Sequence, residues 1–357
     1  MAKKKAFPWT GRICNGAQVG GIETSVIDDG PGRGNRIAWV NTGSGLRYKV
    51  VIDRGLDIVD AFFNQHSLAW LSHGGITAPR PDANSGIEWL YSFAGGLVTT
   101  CGLTHVGGPE DDSPMSRGLH DRIGNMRASI ESIIQPDPTA GKLEMRITAL
   151  VKHSMLFGPN LELRRTITSK IGSAVICIRD EVTNRGNTAV PHMLLYHCNF
   201  GWPLVDDGTD IIYNGKCVSR GLDMDNAVFN DKRDCRKCAA PMEGHRGFGE
   251  ACGFIDTVPD EEGMCTVGLN NRKLNLAVSI KYKKKQLPCL ANWQHWGPGE
   301  YVTGIEPGTN PPIGQNAARA QKKLIMLAPG KNRRYEMEIS VLTDPQDIGR
   351  FAMTCGC

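Results

Sequence analysis

Four stretches of this chain alternate apolar and polar residues with a period of two. Lys142 to Val151 (KLEMRITALV) sets Leu143, Met145, Ile147, Ala149 and Val151 on one side, and Glu144, Arg146 and Thr148 on the other. The pattern recurs in NLELRRTI (Leu161, Leu163, Ile167), AVICIRDEV (Ile176, Ile178, Val182) and RYEMEISVL (Tyr335, Met337, Ile339, Val341). Successive side chains of a strand point to opposite faces, so each stretch predicts a half-buried β-strand. Short turn signals, Phe157-Gly158-Pro159-Asn160 and Asn184-Arg185-Gly186-Asn187, separate them and predict antiparallel pairing. Glycine and proline, 42 and 20 of 357 residues, make about 17% of the chain against a usual ~12%, as many short strands require.

No amphipathic helix longer than three turns and no βαβ rhythm is legible. The glycine clusters Gly30-Pro31-Gly32-Arg33-Gly34 and Gly244 to Gly249 lack the strand-to-helix setting of a phosphate cradle. QNAARAQKK from Gln315 reads as one helical turn or as a polar loop before the strand KLIML. The expectation is an all-β fold, a large antiparallel β-sandwich forming a single domain over residues 1–357, with a loop-rich excursion at about 214–264. That segment is poor in alternation and rich in Gly, Cys and charge.

The formal charge is +4, and the basic runs Lys3-Lys4-Lys5 and Lys283-Lys284-Lys285 read as solvated ends, so no nucleic-acid partner is expected. Neither an ~18-residue apolar span nor a signal-peptide pattern is present, which predicts no membrane partner and a cytoplasmic location. The twelve cysteines then read as reduced thiols. Cys235-Arg-Lys-Cys238 would need two more ligands for zinc, with Cys217, His245 and Cys252 at irregular spacing, and Cys355-Gly-Cys357 ends the chain, so no metal is expected.

Three concentrations of residues could carry chemistry. In Met193-Leu-Leu-Tyr-His-Cys-Asn-Phe-Gly-Trp-Pro-Leu204, His197, Asn199 and Trp202 interrupt a buried strand. His197 is then either a core histidine satisfied by a carbonyl or a general acid tuned by burial. In Trp293 to Thr309, Tyr301–Ile305 reads as a strand ending in Glu306, with Pro307 taking the chain out of the sheet. A carboxylate beside Trp293 suits sugar chemistry, since an aromatic face stacks on the C–H surface of a sugar ring. It also suits a plain turn. Gly95-Gly96 through His105, with Gly118, His120 and Arg122 and the nearby Arg54, reads either as turns or as a backbone built for close approach to a ligand.

Together these residues resemble the aldose 1-epimerase (galactose mutarotase-like) superfamily, over roughly residues 45 to 342. Strand 193–204 is similar to the family's His-x-x-Phe-Asn-Leu strand, with Asn199-Phe200 in reversed order. Gly95-Gly96 followed by Gly118-Leu119-His120-Asp121-Arg122 resembles its Gly-Gly and His-Gly-Phe-x-Arg segments, and Leu287-Pro288, Trp293 and Gly304-Ile305-Glu306-Pro307 its C-terminal block. Asp121 stands where the family has Gly, Thr99-Thr100-Cys101-Gly102 departs from the usual run, and the 214–264 insertion is unlike the family. The resemblance implies interconversion of α and β sugar anomers with Glu306 as base and His197 as acid. It implies a small-molecule carbohydrate partner held by His120 or His105, Arg122, Arg54, Asn199, Trp293 and Trp202, and no cofactor. A glycoside-cleaving or lyase-type enzyme, with Asp206, Asp207 or Glu88 as second carboxylate, and a non-catalytic sugar sensor are the rival expectations.

Overall fold

A computed structural model describes residues 7–111, 116–230 and 234–355; Lys3-Lys4-Lys5 and Cys357 lie outside them. In chain order the strands are β1 (Gly21–Val26), β2 (Arg36–Asn41), β3 (Leu46–Val51), β4 (Asp57–Phe63), β5 (His66–Ser67), β6 (Thr99–Leu103), β7 (Ala128–Ile134), β8 (Glu144–Ser154), β9 (Asn160–Lys170) and β10 (Val175–Asn184). They continue as β11 (Val190–Gly201), β12 (Asp210–Ile212), β13 (Gly215–Ser219), β14 (Ala251–Thr257), β15 (Met264–Asn271), β16 (Leu276–Lys283), β17 (Cys289–Gly297), β18 (Glu300–Gly308), β19 (Ile325–Leu327) and β20 (Asn332–Leu342). Three short helices, α1 (Asp223–Val228), α2 (Gln315–Ala320) and α3 (Pro345–Ala352), accompany them.

The strands pair antiparallel in three sheets: β1 to β5 in order, an eight-stranded sheet β12-β15-β16-β20-β10-β9-β8-β7, and a seven-stranded sheet β13-β14-β17-β18-β11-β19 with β6 also on β11. All four period-two stretches fall in the eight-stranded sheet. Their inward residues, among them Ile147, Leu163, Ile178 and Ile339, join one apolar cluster with Tyr48 and Ile58 of the first sheet and Leu194, Cys198 and Ile305 of the third. The large antiparallel β-architecture expected from alternation is the one observed.

Not every inward position is apolar: His153 of β8, Arg165 and Ser169 of β9, and Asp180 and Asn184 of β10 are buried as well. Arg165 of β9 is fully buried and forms ion pairs with Asp57 of β4 (2.8 Å) and Asp180 of β10 (2.7 Å), while Tyr196 Oη donates to Asp180 at 2.8 Å. Burial opposes the guanidinium's charge, but Asp180 and Asp57 outweigh it and hold the Arg165 pKa above its ordinary value.

Two sequence-based expectations are corrected, and one open alternative is decided. Residues 214–264 are not wholly an excursion, because β13 and β14 are full members of the seven-stranded sheet and only the 220–250 connection leaves it. Pro307 does not end its strand: it stays opposite Leu290 of β17. Its missing N–H falls on the β11 side, where the ladder is open between Leu195–Gly308 and Cys198–Ile305. The Gln315 stretch takes the helical alternative, α2. The Cys-x-x-Cys pair diverges, Cys238 entering the main core and Cys235 a small cluster around Phe229. Among the described residues no group of three or more His, Cys, Asp or Glu is placed to hold a metal, and no helix is long and apolar enough to cross a membrane.

Candidate functional site

Alternation along β11 sends Leu194, Tyr196, Cys198 and Phe200 into the main core and turns His197 to the other face of the sheet. On β18, Ile305 enters the core while Val302 and Glu306 face the same side as His197; on β17, Trp293 and His295 do so. These side chains line a cavity of about 470 Å³, within the range of small-molecule sites. The register of β11 against β18, Leu195 opposite Gly308 and Cys198 opposite Ile305, sets His197 directly across from Glu306 at the open stretch of ladder.

His197 Nε2 lies 3.2 Å from Glu306 Oε1, and both side chains are buried. That approach lacks hydrogen-bond geometry, and among the described residues Glu306 Oε1 and His197 Nδ1 have no hydrogen-bond partner. Such buried, unsatisfied atoms cost about 1–3 kcal/mol each and mark where a polar ligand would repay the loss. Burial, with the charge of Glu250 adding to it against Arg220, pushes the Glu306 carboxyl well above the ordinary value. Burial lowers His197 to about 4, Asn199 partly opposing. Both directions favour the neutral forms, a protonated Glu306 beside an unprotonated His197. Gly304 leaves room for the carboxyl, because a Cβ there would meet Glu306 Oε1 and push that side chain aside.

Aromatic rings wall this floor. Trp293 meets His197 edge-on with centroids 5.4 Å apart, Phe93 does so at 5.2 Å, and Trp89 stacks on Phe93 at 4.3 Å. His120 lines the cavity, its ring 5.9 Å from that of His197. The Gly107 N–H reaches His120 Nδ1 at 3.3 Å, so Nε2 carries the hydrogen, and burial holds the pKa of His120 well below its ordinary value. The 220–250 connection adds Arg220, Phe248 and Glu250 to the lining. Arg220 is fastened by Asp225 (2.9 Å) and Glu250 (2.6 Å).

Of the nine residues picked from sequence, the cavity gathers Glu306, His197, His120 and Trp293. The other five lie outside its lining. Arg54 spends its guanidinium on the carbonyls of Gly124, Thr77 and Ser92, and burial lowers its pKa to about 10. Arg122 donates to Pro81 O, and Trp202 is exposed on the outer surface. Asn199 ties Gly96 O to His197 O, both at 3.0 Å, and so supports β11 from behind. His105 donates to Gly108 O at 2.7 Å and thereby shapes the Gly107–Gly108 turn at the cavity edge, which separates its place from that of His120. Sequence reasoning missed Trp89, Arg220 and Glu250. Trp89 sits in a short 3₁₀ turn, and Arg220 and Glu250 flank a connection without periodicity, so charge density around 220–250 was the only signal.

The family model described as Domain of unknown function (DUF4432) matches residues 32–341. No curated protein matches the chain. Among solved structures, one from Klebsiella pneumoniae subsp. pneumoniae, named a "putative aldose 1-epimerase", superposes with a TM-score of 0.83 at 22% identity, covering 94% of this chain and 86% of the other. A galactose mutarotase-like protein from Clostridium acetobutylicum gives 0.60 at 10% identity over 90% and 98%. A galactose 1-epimerase from Lactobacillus acidophilus NCFM gives 0.58 at 12% over 90% and 98%. At these identities the likeness speaks for the fold. The chain therefore belongs to the family described as Domain of unknown function (DUF4432), built on the galactose mutarotase-like fold.

Proposed function

We propose that this protein is an aldose 1-epimerase-like isomerase that exchanges the α and β anomers of an uncharged sugar. The observation that carries the reading is the 3.2 Å His197–Glu306 contact, buried at the floor of an aromatic-walled cavity. Ring opening needs one group to take the proton of the C1 hydroxyl and another to protonate the ring oxygen as the C1–O bond breaks. The C1 carbonyl then turns over, and the same two transfers run in reverse, so no proton or electron is gained or lost. A pair holding one proton meets this need. Burial leaves that proton on Glu306, but sugar hydroxyls donating to the carboxylate favour its charged form and shift the proton across to His197. Glu306 then acts as base and His197 as acid. His120 Nε2–H and the faces of Trp293 and Phe248 hold the ring.

The charge of the lining supports an uncharged substrate. Arg220 is the one Lys or Arg among the described lining residues, and Asp225 and Glu250 already engage it. Glu250, Glu300 and Glu306 share the cavity, so a substrate phosphate or carboxylate would meet carboxylates without an unpaired cation. Exchange spectroscopy by nuclear magnetic resonance across free aldoses, their 6-phosphates and uronic acids tests this. Accelerated exchange is expected for a neutral aldose, with the charged forms at least about tenfold slower. Release of sugar from a glycoside, or binding without exchange, would replace the reading.

The pH profile is a second check. The one-proton pair persists between the His197 pKa of about 4 and the raised Glu306 value. Below about 4 both groups are protonated and the base is lost; above the Glu306 value neither is, and the acid is lost. A bell is expected whose acid limb lies near 4, in place of the ordinary histidine value. An acid limb near ~6.5 would show that His197 titrates as an exposed imidazole.

A further inference from the structure

We infer that the protein carries a second ligand site, for a nucleoside polyphosphate, in a basic groove beyond the sugar cavity. The groove lies where the β13–β14 edge meets the β16–β17 turn and β19, and it encloses about 800 Å³. Five cations line it, Lys216, Lys284, Lys285, Lys323 and Arg333, against one carboxylate, Asp256. The excess of 5 − 1 = +4 among the described lining residues equals the formal charge of the whole chain. Only Lys284 is neutralised, by Asp256 at 2.7 Å; the other four have no ion-pair partner among the described residues. Like charges gathered without counter-charges repel one another, and a polyanion seated among them relieves that repulsion.

The floor is apolar. Val218 and Phe254 lie opposite each other on β13 and β14, beside Pro288, Leu290 and Ile325. A phosphate alone would gain nothing from that floor, and a monocarboxylate would leave most of the cations unpaired. A ligand with several negative charges and a flat apolar body, which Phe254 can face, uses both parts. The enclosed volume falls within the range of small-molecule sites. Lys285 closes the basic run legible in the sequence; Lys216, Lys323 and Arg333 join it only through the fold.

The site is tested by titrating adenosine triphosphate, pyrophosphate and adenosine separately into the full chain at ~0.15 M salt, where weak surface attraction is screened. Adenosine triphosphate is expected to saturate with a Kd below ~100 µM, and each of the other two to bind at least about tenfold more weakly. The double variant Lys285→Glu/Lys323→Glu, at two exposed positions, is expected to weaken nucleotide binding by about tenfold or more with an unchanged melting temperature. Absence of saturation by 1 mM nucleotide, binding that the variant leaves intact, or adenosine or pyrophosphate binding as tightly as the triphosphate each overturns the inference. Neither lysine lines the sugar cavity, so sugar turnover by the variant reports separately on the proposed isomerase.

Discussion

Replacing Glu306 by Gln is expected to slow anomer exchange by ~10²–10⁴-fold, and replacing His197 by Asn by a similar factor, while the protein stays folded. Gln matches the carboxyl in size, and Asn removes part of a ring, so neither substitution places a new charge in the buried floor. Each removes one terminus of a proton path that needs both. The double variant is therefore expected to be little slower than the worse single one, since residues acting as a unit are not additive. Exchange rates measured beside melting curves check the result: a normal rate in both single variants with intact folding removes the pair from the chemistry. Because burial favours the protonated form of Glu306 over its carboxylate, the Gln variant is also expected to melt no lower than the parent at neutral pH. A loss of fold in place of a loss of rate would show that the pair is structural.

The largest expected effect on stability lies elsewhere, at Arg165. Arg165→Met leaves Asp57 and Asp180 buried without their shared cation, and breaking such a pair costs about 3–5 kcal/mol. Urea unfolding reads the loss directly. Its pH dependence follows from the sign of the change. An unpaired buried carboxylate has its folded pKa raised, so its protonated form is the stable one, and stability is retained at low pH and lost as pH rises through that value. The deficit of Arg165→Met is thus expected to be larger at pH 8 than at pH 5. Adding Asp57→Asn and Asp180→Asn is expected to recover much of it. A deficit independent of pH would indicate lost packing alone. Tyr196 donates to Asp180 and precedes His197 in β11, so loosening this network is also expected to blur the position of His197.

The strands of the eight-stranded sheet were legible because β8, β9, β10 and β20 each bury one face and solvate the other, which writes the period of two into local sequence. Arg165 broke that pattern at an inward position, and nothing local reveals that Asp57, 108 residues away, and Asp180 would meet it. Glu306 and His197 were legible as polar residues in apolar strands. Arg54 and Asn199 were picked as polar residues in the same way, yet turned out to bind backbone carbonyls, because a buried donor is satisfied equally well by structure or by ligand. Pro307 misled for a related reason. Its missing N–H costs nothing where the β11–β18 ladder is already open, and openness is a property of the pair of strands.

What is local in energy was therefore readable from the chain alone: strand period, turns, the all-β class and the presence of His197 and Glu306 as polar residues in apolar strands, whose proposed roles rest on the family resemblance. Tertiary structure decided the rest, since contacts between distant segments depend on register and on the path of connections that leave no periodic trace. It placed His197 across from Glu306 and chose His120 over His105 for the cavity. It also brought Arg220 and Glu250 in from the 220–250 connection and gathered scattered lysines into a basic groove.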